Sequence, residues 1–198
     1  LFALAEASDY NAQISYGEDV ITRIVYSQKP GGLKKLQEVV VSNINGVVRE
    51  LLRMSRIDQS LISHLVIAGN TTMTQLLLGL DPKYLREEPY VPTANFIPPV
   101  RAVHLGIDIG DHVHIYIFPM VASYVGGDIV AGILGSGIFQ REKLTLYMDI
   151  GTNGEIVLGN KDWLASVSCS AGPAFEGAGI KFGMRATRGA IEEVSINH

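Results

Sequence analysis

The stretch Leu144–Asn160, LTLYMDIGTNGEIVLGN, constrains this chain more than any other. It reads as a buried apolar strand, a turn carrying Asp149, Gly151, Thr152, Asn153 and Gly154, and a second strand. Asn-Gly between two apolar runs predicts a type I′ hairpin turn, because both central residues of that turn need φ > 0. The plain reading is a hairpin with solvent at its tip. The same geometry also supports a chemical reading. A tight turn rich in Gly and Asn points backbone N–H groups outward with little side chain to block them, which makes a concavity for an anion such as phosphate. The Thr152 hydroxyl adds a donor, and Asp149 at the strand end can hold Mg²⁺ directly or through its waters.

The composition bounds what surrounds this hairpin. In 198 residues, 47% are hydrophobic and 18% charged, so the chain has material for a core and too little charge to be disordered. The length suits one large domain or two small ones. No basic run or basic patch interleaved with aromatics is present, so nucleic acid is not an expected partner. A single cysteine, Cys169, excludes an internal disulfide framework and fits a reducing, cytoplasmic setting. It has no Cys or His neighbour in sequence, so a buried, inert thiol is expected. No apolar run is long enough to span a bilayer and no signal peptide is visible, so no membrane partner is expected. The chain starts on Leu-Phe-Ala-Leu-Ala and stops in what reads as a strand, Ala190–Ile196, so it is expected to be a fragment of a longer protein.

Taken in order, Leu1–Ala7 reads as a strand. Glu18 and Asp19 then sit in the first turn of a helix running through Tyr26, with Val20, Ile21, Ile24 and Val25 on one face. Pro30-Gly31-Gly32 ends it. A second helix, about Leu33–Arg56, carries Leu36, Val40, Ile44, Val47 and Leu51 at helical spacing and is expected to pack on a sheet. His64–Ala68 is a short strand, and Gly69-Asn70-Thr71-Thr72 opens a helix through Leu80. Such a turn places N–H groups at a helix N-terminus, so Asn70 and Thr71 are candidate ligand contacts, although capping of the helix accounts for them equally well. Asp81–Pro99 is proline-rich and reads as irregular. His112–Pro119 alternates like a strand, and His112 and His114, without a third ligand, read as solvated strand residues. Ser123–Ile133 (SYVGGDIVAGI) becomes a small-residue helix with Asp128 in its first turn. That carboxylate is either a favourable helix-start charge or a functional group at the crevice where α/β folds bind ligands. After the strand Trp163–Ser168, Cys169–Gly183 is a glycine-rich loop whose Gly172, Gly177 and Gly179 let backbone approach a ligand, or merely connect two elements.

Strand–helix alternation, a Gly/Thr hairpin, a Gly-Asp helix before it and a Gly-rich loop after it resemble the actin-like ATPase fold, in which two RNase-H-like lobes clasp ATP. The fold class expected is therefore α/β, a partial RNase-H-like actin-like ATPase fold, with residues 1–140 from the middle of the first lobe and 141–198 opening the second. DIGTNGE (Asp149–Glu155) is similar to the second phosphate hairpin of that fold. Gly126-Gly127-Asp128 resembles the sugar-kinase turn whose Asp is the catalytic base. Five strings narrow the resemblance: YGEDVITRI (Tyr16–Ile24), AGNTTMTQLLLGLDP (Ala68–Pro82), FPMVASYVGGDIVAGIL (Phe118–Leu134), MDIGTNGEIVLGN (Met148–Asn160) and CSAGPAFEGAGIKFGMRATRGAIE (Cys169–Glu192). They are similar to the ATP-dependent reductive activators of corrinoid proteins, which return Co(II) corrinoids to Co(I) for methyl transfer.

The resemblance implies ATP and Mg²⁺ as cofactors. Phosphates and Mg²⁺ would be gripped by Asp149, Gly151, Thr152, Asn153 and Gly154. Asn70 and Thr71 would line the crevice, Asp128 would orient the attacking water, and Gly172, Gly177 and Gly179 would meet the nucleotide through backbone. The partner implied is a corrinoid iron–sulfur protein or a corrinoid methyltransferase component, and a homodimer is admitted. The family's [2Fe–2S] cluster is held by four cysteines, so with Cys169 alone it is expected in the missing N-terminal part, and the fragment is expected to be inactive by itself. Two rivals stay open. One is a small-molecule kinase of the same fold, with Asp128 as base for a substrate hydroxyl. The other is a non-catalytic docking module for a corrinoid protein.

Overall fold

The computed structural model describes residues 2–151 and 153–170, with Lys181 and Gly189. The expected strand Ala190–Ile196, and the candidates Thr152, Gly172, Gly177 and Gly179, lie outside the described residues. The chain divides into two compact units, Leu1–Ala131 and Gly132–His198. Among the described residues no helix is long and apolar enough to cross a membrane.

The first unit is built from three helices and a small sheet. α1 (Val20–Ser27) starts at Asp19, which is its N-cap rather than a first-turn residue. The Asp19 carboxylate accepts from Thr22 N at 2.7 Å, while the Thr22 hydroxyl accepts from Asp19 N at 3.2 Å, a reciprocal box that satisfies two end groups. The bond from the Thr22 backbone holds the Asp19 pKa below the ordinary carboxylate value. A lowered native pKa means the cap stabilises fully above the usual aspartate range and loses this contribution as pH falls through the lowered value. Asp19→Ala is expected to cost about 1 kcal/mol at neutral pH, and the gap from the parent should close on acidification in parallel thermal melts.

α2 (Gly32–Ser55) begins at Gly31, which adopts φ 72°. Its fully buried residue is Leu36, but further along the seam facing the sheet is Val41, Ile44, Val48 and Leu52, one residue on from the expected Val40, Val47 and Leu51. Val39–Val41 and Val47–Val48 leave two helical phases open in the sequence, and the sheet selects one. β1 (His64–Ile67) pairs in parallel with β3 (His114–Ile117), and β2 (Val100–Arg101) pairs antiparallel on the other side of β3, giving the order β1-β3-β2. Ile115 and Ile117 of β3 enter the core with Ile107, Ile109 and Val113. α3 (Thr71–Leu78) stops two residues before the expected Leu80. Gly79 takes φ 67° and donates to Leu76 O, and Leu80 N donates to Gln75 O at 2.9 Å, which closes the helix.

Two further expectations fail in this unit. Residues 2–10 form no strand: Phe2 is 94% and Leu4 72% exposed, and no described strand pairs with them, so the apolar alternation has no ladder to join. His112 lies outside β3, with its Nε2 2.9 Å from Ile62 O, so the two histidines do not share a strand.

α4 (Gly127–Ser136) begins in the first unit. The sheet of the second unit has the order β4-β5-β6, from β4 (Thr145–Ile150), β5 (Asn153–Gly159) and β6 (Leu164–Ser170), all antiparallel. The hairpin is present, but its turn is not the expected type I′ turn on Asn153-Gly154. Ile150 pairs with Gly154 and Asp149 with Glu155, so Asn153 and Gly154 belong to β5. A type I′ turn there would pair Thr152 with Glu155, shift the register by an odd number of residues and flip one strand's faces. Pairing with Tyr147 instead keeps Val157 inward, at 1% exposure. β4 is not the buried strand expected. Thr145, Tyr147 and Asp149 share Val157's face, while Leu146, Met148 and Ile150 stay more than half exposed among the described residues. Cys169 is exposed too, rather than buried, because its place opposite Gly154 sets it on that outer face, where its thiol donates to Gly154 O at 3.3 Å.

Candidate functional site

In the first unit the structure brings Asn70, Thr71 and Asp128 together. The chain leaves β1, turns at Gly69 and enters α3 with Asn70 as N-cap, its side-chain oxygen accepting from Met73 N at 2.9 Å. The chain that leaves β3 turns at Ala122–Val125 and enters α4 through Gly126-Gly127. The two turns meet. Asp128 N donates to Gly69 O at 3.3 Å, and the Thr71 hydroxyl donates to Ala122 O at 2.7 Å. A Cβ on Gly126 would stand 2.6 Å from Asn70 Cα and 2.7 Å from Thr71 N, so the close approach requires glycine. On Gly127 it would meet Phe118 O at 2.7 Å.

This pairing sets two helix starts beside each other, so their dipoles add positive potential at one place, the arrangement that favours an anion. Asp128 stands in the first turn of α4, half-buried, and its Oδ1 accepts from Ile129 N at 2.9 Å. Thr71 is 1% exposed and its hydroxyl is committed to Ala122 O, whereas Asn70 is exposed. Asn70 therefore offers its side chain, and Thr71 offers main chain and the tie to the neighbouring turn.

In the second unit Asp149 and Glu155 face each other across β4 and β5. The Ser168 hydroxyl donates to Glu155 Oε1 at 3.2 Å. Carboxylates directly opposite on one face repel, and a cation relieves the repulsion. Hard oxygen donors of this kind suit Mg²⁺, which takes one or two carboxylates and completes its shell with water or phosphate oxygens. Among the described residues no group of three or more His, Cys, Asp or Glu is placed to hold a metal ion. Gly151 N donates to Asn153 O at 3.0 Å, so this donor is used inside the turn, and what Gly151 offers is a surface without a side chain.

Sequence reasoning missed Glu155 and Gly69. Glu155 was legible in principle, six residues after Asp149 across a tight turn. Gly69 acts through its carbonyl, which also accepts from the Thr74 hydroxyl at 3.3 Å, and no side-chain pattern announces that.

Residues 2–141 match the family described as the RACo middle region, and residues 143–198 match the C-terminal domain of RACo, the ASKHA domain. The corrinoid activation enzyme RamQ of Eubacterium limosum is 35% identical over 196 residues, 98% of this chain and 33% of that protein. A [Co(II) methylated amine-specific corrinoid protein] reductase of Methanosarcina barkeri is 27% identical over 166 residues, 79% of this chain and 30% of the relative. The chain thus spans about a third of the length of the curated relatives it matches. A solved reductive activator for corrinoid, iron-sulfur protein superposes with a TM-score of 0.86 at 53% identity, over 95% of this chain and 30% of that one.

Proposed function

This chain belongs to the RACo family, with the actin-like ASKHA fold, and on that footing we propose that it is the nucleotide-gripping part of an ATP-dependent activator that reduces Co(II) corrinoid proteins to Co(I). The observation that carries the reading is the seat of Gly126 on the Asn70–Thr71 backbone, which joins two helix starts and Asp128 in one place.

Bound ATP supplies the free energy that an uphill Co(II)-to-Co(I) reduction needs. Asn70 and the main chain at Thr71 hold phosphate oxygens at the α3 start. Asp128 orients the attacking water and accepts its proton, a role that depends on geometry before pKa. Asp149 holds Mg²⁺, directly or through water, with Glu155 opposite it. Gly151, Asn153 and Gly154 keep the hairpin open to phosphate; Thr152, Gly172, Gly177 and Gly179, outside the described residues, are further nucleotide contacts on the strength of the resemblance alone. One cysteine does not fit a [2Fe–2S] cluster, so the electron source is no part of these residues. The partner is a corrinoid iron–sulfur protein or corrinoid methyltransferase component in the cytoplasm, and a homodimer is the assembly to test for.

The test is ATP hydrolysis by the protein at full length, with and without a Co(II) corrinoid protein, while cobalt absorbance is followed under a reductant. Hydrolysis should rise with the corrinoid protein, and Co(I) should form only with ATP present. Hydrolysis indifferent to the corrinoid protein would overturn the reading in favour of a kinase and an acceptor hydroxyl.

A further inference from the structure

Ser123 has no part in the site as described, yet it is 6% exposed and lies in the middle of the Ala122–Val125 turn that delivers Asp128. Its hydroxyl donates to Tyr90 O at 2.5 Å. Tyr90 adopts φ 59°, left-handed backbone that an aromatic residue seldom takes. Such a conformation persists only where neighbours over-determine it. Here Tyr90 N donates to Glu87 O at 2.8 Å, and the Ser123 hydroxyl takes the carbonyl. A second tie lies a few residues on, where Met120 N donates to Asn95 O at 2.8 Å. The segment after α3 is thereby fastened to the Asp128 turn.

Three hydrogen bonds hold the turn and Asp128 after it in place. Thr71 Oγ1 grips Ala122 O, Gly69 O receives Asp128 N, and Ser123 grips Tyr90 O. Val125 itself closes the turn, accepting from Ala122 N at 3.1 Å. Gly126, which follows this turn, is already in tight contact with Asn70 and Thr71, and Asp128 comes two residues later.

We propose that Ser123 is a positioning residue for hydrolysis: by fastening the Ala122–Val125 turn to the Tyr90 carbonyl it sets where the Asp128 carboxylate stands beside the Asn70–Thr71 turn. The proposal rests on the reading of Asp128 given above. Loss of the hydroxyl leaves the phosphate contacts in place and displaces the group that orients water, so it lowers kcat and leaves nucleotide affinity alone. A misplacement of this kind can cost about 10²-fold at the extreme.

The test uses the full-length protein, steady-state ATP hydrolysis, calorimetric binding of a non-hydrolysable ATP analogue, and thermal melts. Ser123→Ala should lower kcat roughly tenfold, within the range known for misplaced groups, with Kd for the analogue unchanged. Ser123→Thr, which keeps the hydroxyl, should restore most of kcat. Tyr90→Asn, which keeps the carbonyl and tolerates left-handed backbone, should hold kcat at the parent level. The proposal is overturned if Ser123→Ala keeps the parent kcat, or if kcat and affinity fall together with the melting temperature, as for general loosening. An Asp128→Ala variant measured alongside separates the two claims. If it is inactive while Ser123→Ala is normal, only the positioning role fails; if it hydrolyses ATP normally, the reading of the site itself fails.

Discussion

Asp128→Ala is expected to lower ATP hydrolysis by about 10²- to 10⁴-fold while leaving nucleotide binding intact, the signature of a general base. The alanine keeps the backbone bond from residue 128 to Gly69 O and loses the bond from Ile129 N to the carboxylate. That loss resembles a missing helix cap, about 1 kcal/mol, too little to unfold the protein and too little to account for the rate. Asp128→Asn sharpens the experiment, because an amide oxygen can still accept from Ile129 N but cannot take a proton. Both variants should be inactive, and the asparagine should melt closer to the parent. Single-turnover hydrolysis and analogue binding on one preparation decide the matter: equal loss of hydrolysis and binding would contradict the assigned role.

The second large effect is expected at Gly126. Its missing Cβ would fall 2.6 Å from Asn70 Cα, 2.7 Å from Thr71 N and 2.7 Å from Asp128 Oδ1. The first two are backbone atoms of a capped helix and cannot swing aside as a side-chain end can. Gly126→Ala must therefore push the starts of α3 and α4 apart, at a cost of about 1–3 kcal/mol typical of overpacking, and hydrolysis should fall with stability. Gly135 provides the contrast. It lies in α4 with nothing within 4 Å of a built Cβ, so Gly135→Ala should stabilise by about 0.5–1 kcal/mol. Thermal melts of the pair, with opposite signs expected just before α4 and within it, test whether the Gly126 contact matters; a neutral Gly126→Ala would refute it.

Much of the first unit was legible because its signals are local. Asn70 caps α3 as a Gly-Asn-Thr-Thr turn after an apolar strand predicts, and Asp128 falls in the first turn of a helix opened by paired glycines. The seam of α2 was legible as a helix but not in phase, since adjacent valines satisfy two phases and only the sheet chooses. The hairpin was legible as a hairpin and misread in register. Asn-Gly is a strong turn signal in isolation, but six cross-strand pairs from Thr145 to Ile150 outweigh the preference of one dipeptide. For Cys169 and the outward face of β4 the reason is the same: alternation says that faces differ, not which face is covered.

The sequence by itself determined the helices α1 to α4, the capped start of α3, the placement of Asp128 and the family, because each rests on residues close together in the chain. Only the tertiary structure decided that Thr71 would spend its hydroxyl on Ala122, 51 residues away, that Ser123 would reach Tyr90, 33 residues back, and that Glu155 would stand opposite Asp149. These are hydrogen bonds to carbonyls and a register between strands. A backbone carbonyl is the same in every residue, so no local pattern can say which one a distant hydroxyl will find until packing has brought the two together.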